Sequence, residues 1–155
     1  MKLARTVAIP ALTFFLLLLA LSLFNLADTR WQRARNTPPG QFYLGYGKHM
    51  HLNCSGAGTP TVVIEAGASA NSPGWQGVQS QLSRLARVCT YDRAGHGWSE
   101  PRTGSRDAET IGREHHSLLD LAGVKGPLAV AGHSAGGLYV REYSREFPAG
   151  IAEWR

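Results

Sequence analysis

Residues 132–137, Gly-His-Ser-Ala-Gly-Gly, constrain this chain more than any other stretch. They follow a short apolar run, residues 128–131, and open a helix-compatible run, residues 138–147. A strand that must turn at once into a helix leaves no room for side chains at the crossing, so glycines at 132 and 136 and a small residue between them fit one geometry, a tight strand-to-helix turn with Ser134 at its apex. Gly137 is expected to help the helix pack down. Such a turn needs a sheet beneath it and a helix on one face of that sheet, which already points to an α/β architecture.

The rest of the chain supplies matching elements. Residues 42–46 and 50–54 flank Gly47-Lys48 as a hairpin, and a small-residue loop, 55–60, follows. Residues 61–65 are a short β-branched run without alternation, as expected of a strand buried on both faces. Ser72-Pro73 reads as a helix start, with serine as the cap and proline at the first helical position. Trp75, Val78, Leu82 and Leu85 then recur at helical spacing and predict one apolar stripe laid on the sheet. Residues 87–92 are the next strand and 93–107 a loop rich in Gly, Ser and Arg. Ile111, Leu118, Leu119 and Ala122 mark a second amphipathic helix closed by Gly123. Residues 127–131 form the strand before the turn, and Tyr139, Tyr143 and Phe147 repeat every fourth residue on the helix after it. The fold class is therefore α/β, a mostly parallel sheet flanked by helices.

The first forty residues stand apart. Residues 7–27 carry no charge, and at about 1.5 Å per residue they reach across a bilayer core of about 30 Å. Lys2 and Arg5 precede the run. An uncleaved membrane anchor is the expected reading; a cleaved signal peptide is the alternative, opposed by the bulky polar Asn25 where a processing site wants a small residue. The anchor places the protein in a membrane by a single N-terminal span, the signal peptide exports it to the periplasm or beyond. Residues 28–40, ending in Pro-Pro-Gly, read as a linker, and 41–155 as the domain.

The formal charge is +5, but five of the sixteen Lys and Arg and one of the eleven Asp and Glu lie in residues 1–35. The domain is near neutral, which argues against a nucleic-acid partner. Arg30, Arg33 and Arg35 read as interfacial arginines beside the span.

A serine hydroxyl is a poor nucleophile unless it is held in place beside a base. The turn would project Ser134 above the sheet, and the N–H of Ala135, at the start of the helix, would point where an oxyanion develops. The six histidines offer no base. His115 falls on the stripe of the second helix and is expected as a hydrogen-bonded residue at the core edge; His116 beside it cannot share a metal with it. His49 and His51 alternate on one strand face, which permits a shared ligand but reads as a solvated face. His133 belongs to the turn. Cys54 and Cys89 could form a disulfide or remain buried thiols. No metal, nucleotide or flavin motif is visible, so no cofactor is expected.

Three blocks in a fixed order resemble the N-terminal part of a serine α/β-hydrolase of the esterase and lipase kind: Val62-Val63-Ile64-Glu65-Ala66-Gly67, Tyr91-Asp92-Arg93-Ala94-Gly95-His96-Gly97-Trp98-Ser99, and the nucleophile elbow around Ser134. The resemblance runs from about residue 43 to 147. It implies Ser134 as the catalytic nucleophile, with oxyanion-hole N–H groups from Ala135 and Ala68. One such donor is worth about 3 kcal/mol in the transition state. Glu65 is expected to fix the loop by a hydrogen bond. In this family the triad runs Ser, then Asp or Glu, then His, so His96 reads as structural and the Asp92–Arg93 region as a brace for the loops.

Eighteen residues follow Gly137, and none is a histidine. The acids beyond Ser134 are Glu142, Glu146 and Glu153, the first two on the elbow helix. The resemblance implies that further strands would continue the sheet, so the strand at 127–131 is expected to have an open edge, prone to self-association. These features lead to the expectation of a truncated chain, a membrane-anchored hydrolase of small carboxylic esters or amides that is inactive as it stands. A non-catalytic remnant acting through protein interaction is the alternative, and lipid binding by residues 28–35 a third.

Overall fold

In the computed structural model, the backbone is described for residues 2–152, and the side chains of 2–8 and 32–34 are excluded; the side chains of Lys2, Arg5 and Arg33, and the whole of Glu153, named above, therefore lie outside what is described. The chain divides into two compact units after Pro38.

The first unit is one helix, α1, Lys2–Arg35. Its segment Ile9–Trp31, 23 residues with a mean hydropathy of 2.2, is long and apolar enough to cross a membrane. Leu16, Leu17, Leu18 and Leu19, four consecutive residues that together go round the helix, are all exposed, so its apolar surface is not confined to one face. The helix continues through residues 28–35, which were expected as linker, because nothing there breaks it; the first breakers are Pro38 and Pro39. The Thr29 hydroxyl donates to the Asn25 carbonyl one turn back.

The second unit is a five-stranded mixed sheet with helices on both faces. The strands are β1 (Gln41–Gly45), β2 (Lys48–Ser55), β3 (Thr61–Glu65), β4 (Val88–Tyr91) and β5 (Leu128–Gly132), in the spatial order β1-β2-β4-β3-β5. β1, β2 and β4 pair antiparallel, and β3 pairs parallel with both β4 and β5. The β1–β2 turn sits at Tyr46-Gly47, one residue earlier than expected. Both residues have positive φ, 50° and 71°, the backbone that matches the twist of a two-residue hairpin.

Period-two alternation sorts the two faces. Leu52 opposite Tyr91 and Cys54 opposite Cys89 look toward α3 (Ala108–Leu121) and α4 (Gly136–Glu146). There Met50, Leu52, Val63, Cys89, Tyr91, Leu118, Leu119, Val124, Leu128 and Tyr143 form the core. Cys54 and Cys89, direct register partners, are joined as a disulfide, which resolves the two readings left open above. α3 starts at Asp107, whose side chain accepts the Thr110 N–H, and its end is followed by Gly123 at φ 65°, a left-handed stop.

The other face carries α2, Gln76–Leu82, entered through a 3-10 turn, Ser72–Trp75. The expected stripe does not lie on the sheet: Val78, Leu82 and Leu85 are 43%, 37% and 85% exposed. The helix docks instead through Gln79, which is 3% exposed. Its amide donates to the carbonyls of Asn53 and Val88 and accepts from Asn53 and Thr90. Four hydrogen bonds to a polar strip of sheet outweigh the apolar pattern, because those strand groups would otherwise be buried unpaired.

β5 has one ladder partner among the described residues, β3; on its far side only Ile151 forms a single bridge, to Leu128.

Candidate active site

β5 delivers the chain into the turn. Ser134 has φ 54°, a left-handed backbone that costs a non-glycine residue about 1–3 kcal/mol and persists only where the surroundings enforce it. The enforcement is visible. The His133 N–H donates to the Glu65 carbonyl at 3.1 Å, extending the β3–β5 ladder into the turn, and the N–H groups of Gly136 and Gly137 close it onto the carbonyls of His133 and Ser134. A Cβ at Gly132 would lie 2.5 Å from the Gly136 carbonyl, and one at Gly136 would lie 2.4 Å from the Glu65 carbonyl. Both glycines are steric necessities. Gly137 is not: a Cβ there meets nothing within 4 Å, so the helix does not need it to pack down.

The loop after β3 comes against this turn. A Cβ added at Gly67 would sit 3.4 Å from the Ser134 Cβ and 3.2 Å from the His133 Nδ1. Ala68, the next residue, is exposed. The N–H groups of Ala68 and Ala135 have no acceptor among the described residues, and the Ser134 side chain is likewise unbonded and exposed. The three expected residues thus gather at one place.

Beneath the loop lies a buried polar lattice. Arg93, 4% exposed, donates to the Glu65 carboxylate at 2.5 Å and to the carbonyls of Ala66, Gly67 and Ala68 at 2.6, 2.6 and 3.1 Å. The Tyr91 hydroxyl donates to the other Glu65 oxygen. Burial raises the Glu65 pKa, against the lowering pull of Tyr91 and Arg93, and burial with the Glu65 charge pushes Tyr91 far up. Asp92 is the second hub. It accepts from the Ser72 N–H and hydroxyl, the Trp98 N–H and His51 Nδ1. Burial opposes its charge, but these donors prevail and lower its pKa. Glu65, Asp92 and Arg93 therefore brace the loops, as the sequence suggests.

Ser72 does not cap the helix. Asn71 holds the cap position without a side-chain bond, and both polar groups of Ser72 go to Asp92. The buried carboxylate takes them because an ionised acceptor in the interior is the stronger partner.

His115 is 1% exposed, in the core rather than at its edge. It is stacked on Tyr91, with ring centroids 4.4 Å apart, and packs on Tyr143. Its Nε2 has no partner, and burial, helped by the charge of His116, lowers its pKa to about 3. His51 is wholly buried, not on a solvated face: Nδ1 meets Asp92 at 2.9 Å and Nε2 meets the Pro39 carbonyl. His49 is exposed and paired with Glu100. His96 lies partly buried near Arg93 and Arg106, its pKa lowered by burial first and by those cations second. His133 meets Trp75 edge-on, and His116 stacks on Phe147. None of these is hydrogen-bonded to Ser134. Glu142 and Glu146 pair with Arg145 and Arg113. Among the described residues no group of His, Cys, Asp and Glu is arranged to hold a metal.

The lattice partners Ser72, His51 and Tyr91 were not legible as such. The Tyr91-Asp92-Arg93 block is the one signal that could have found them.

A family model described as alpha/beta hydrolase fold matches residues 60–153. An AB hydrolase superfamily protein of Gibberella zeae is 37% identical over 94 residues, 57% of this chain and 28% of its own. Among solved structures, the enol-lactonase of Burkholderia xenovorans LB400 superimposes with a TM-score of 0.66 at 24% identity, over 72% of this chain and 44% of the lactonase. A hydrolase from Pseudomonas aeruginosa gives 0.68 at 24% identity, over 76% and 45%. The chain spans less than half the length of each of these three proteins.

Proposed function

The chain belongs to the alpha/beta hydrolase family, and from that membership we propose a membrane-anchored serine hydrolase that cleaves carboxylic esters, with amides as a second substrate class, through an acyl-enzyme at Ser134. The observation that carries the reading is Ser134 itself, held at φ 54° with a free hydroxyl beside two unbonded N–H groups. Its Oγ attacks the ester carbonyl carbon. The oxyanion that forms is held by the N–H of Ala135 and Ala68, and the positive end of α4 favours the same charge. Collapse expels the alcohol, which takes the proton lost by Ser134, and water then releases the acid. Residues 9–31 hold the domain at a bilayer, or export it if they are cleaved.

The proton must pass through a base within hydrogen-bond reach of Ser134, and no described residue provides one. The reading therefore requires a base from outside the described residues. A purified polypeptide of these 155 residues is accordingly expected to show no Ser134-dependent turnover of p-nitrophenyl esters. The protein expressed from its native gene with all sequence downstream is expected to hydrolyse them, and S134A to abolish this. Turnover by that protein unchanged in S134A overturns the nucleophile.

A second reading, a non-catalytic family member acting through protein interaction, is favoured by the edge of β5, which beyond the Ile151 bridge at Leu128 has no strand partner among the described residues. Co-purification of a chain that pairs with that edge, with no ester hydrolysis, supports it.

A further inference from the structure

We propose that Arg93 is a positioning residue that sets the direction of the oxyanion-hole N–H of Ala68, an inference that rests on the reading of Ser134 as the nucleophile. In extended backbone successive carbonyls point to opposite sides, yet those of Ala66, Gly67 and Ala68 all converge on one guanidinium, at 2.6, 2.6 and 3.1 Å. The backbone from 66 to 69 therefore wraps around Arg93.

Each peptide is planar and trans, so its N–H points opposite its carbonyl. Binding the Gly67 carbonyl turns the Ala68 N–H away from Arg93, and binding the Ala68 carbonyl does the same for Ser69. Neither N–H has an acceptor among the described residues. Successive outward N–H groups form a concavity suited to an anion, and this one opens beside Ser134, against which Gly67 packs.

A planar fork is the group that can hold this many acceptors at once. Its own orientation is fixed by Glu65 from one side, at 2.5 Å, and by the Tyr139 ring of α4, 5.2 Å from the guanidinium carbon. Tyr139 lies on the helix that begins just after Ser134, so the clamp refers both halves of the oxyanion hole to the same element. A lysine would keep the charge and lose the fork.

The test uses a fluorophosphonate in imidazole buffer with the 155-residue protein in detergent. The Ser134 oxygen bonds to phosphorus, fluoride leaves, and imidazole takes the proton. Labelling of Ser134 is followed by mass spectrometry in wild type, S134A, R93K and R93A. The expected result is a limiting labelling rate about ten- to a hundredfold lower in R93K, with half-saturation by the probe unchanged, and a lower rate in R93A partly restored by millimolar guanidinium. R93K labelling at the wild-type rate overturns the proposal. If wild type labels no faster than S134A, the nucleophile reading fails by itself. The clamp is then judged by NMR residual dipolar couplings of the Ala68 N–H in wild type and R93K: a reoriented bond vector supports it and an unchanged one overturns it. The same couplings across β3 and β5 report whether R93K keeps the sheet.

Discussion

At the scale of single residues, the elbow is a set of contacts too close for side chains. Gly136 sits where a Cβ would lie 2.4 Å from the Glu65 carbonyl and 2.8 Å from that of Ala66, whereas Gly137 faces open space. We therefore expect G136A to destabilise the domain by about 2–4 kcal/mol, and G137A to be neutral or stabilising by up to about 1 kcal/mol, since alanine is the better helix former. Urea melts of the two variants measure the contrast, and equal destabilisation would show that the turn packs differently. Gly132 was readable because its exclusion comes from Gly136 and Gly137 within the same turn, whereas the atoms that exclude a side chain at Gly136 belong to Glu65 and Ala66 at the end of a distant strand. The partners of Arg93 were not readable, since they lie 25 to 28 residues earlier.

At the scale of elements, the two helices that flank the sheet illustrate when periodicity suffices. The stripe of α3 is apolar and meets an apolar face, so Ile111, Leu118 and Leu119 are buried as expected. The stripe of α2 is equally regular and is exposed, because the face below it presents Asn53, Thr90 and strand carbonyls that Gln79 satisfies and an apolar side chain would leave unpaired. His115, within the α3 stripe, makes that packing sensitive to pH. Its folded pKa, about 3, lies below its unfolded value near 6.5. Between the two the unfolded chain binds the extra proton, so stability falls as pH drops below about 6.5, by up to about 1.4 kcal/mol per unit. Glu65, with a raised pKa, acts in the opposite direction. The contribution of His115 is therefore isolated by H115F, which keeps the stacking on Tyr91 and Tyr143: the variant is expected to gain on wild type as pH falls from 7 to 5. Parallel pH profiles from urea titrations would contradict a buried neutral imidazole.

At the scale of the whole molecule, the apolar helix and the sheet answer to different solvents. Ile9–Trp31 exposes leucine and phenylalanine on every side, so the protein is expected in the membrane pellet after carbonate washing and in the supernatant after detergent. Recovery of a soluble form lacking the first 25 to 30 residues would instead identify an export signal. Hydropathy, glycine spacing and the alternation of strands with amphipathic helices determined the apolar segment, the α/β class and the place of Ser134, because each is written in residues close together along the chain. Only the tertiary structure decided which face α2 presents, that Cys54 and Cys89 join, that His51 and His115 are interior, and that one guanidinium holds the loop beside Ser134. Those outcomes depend on which polar groups a distant strand leaves unsatisfied, and a buried donor or acceptor must find its partner wherever the fold has carried it.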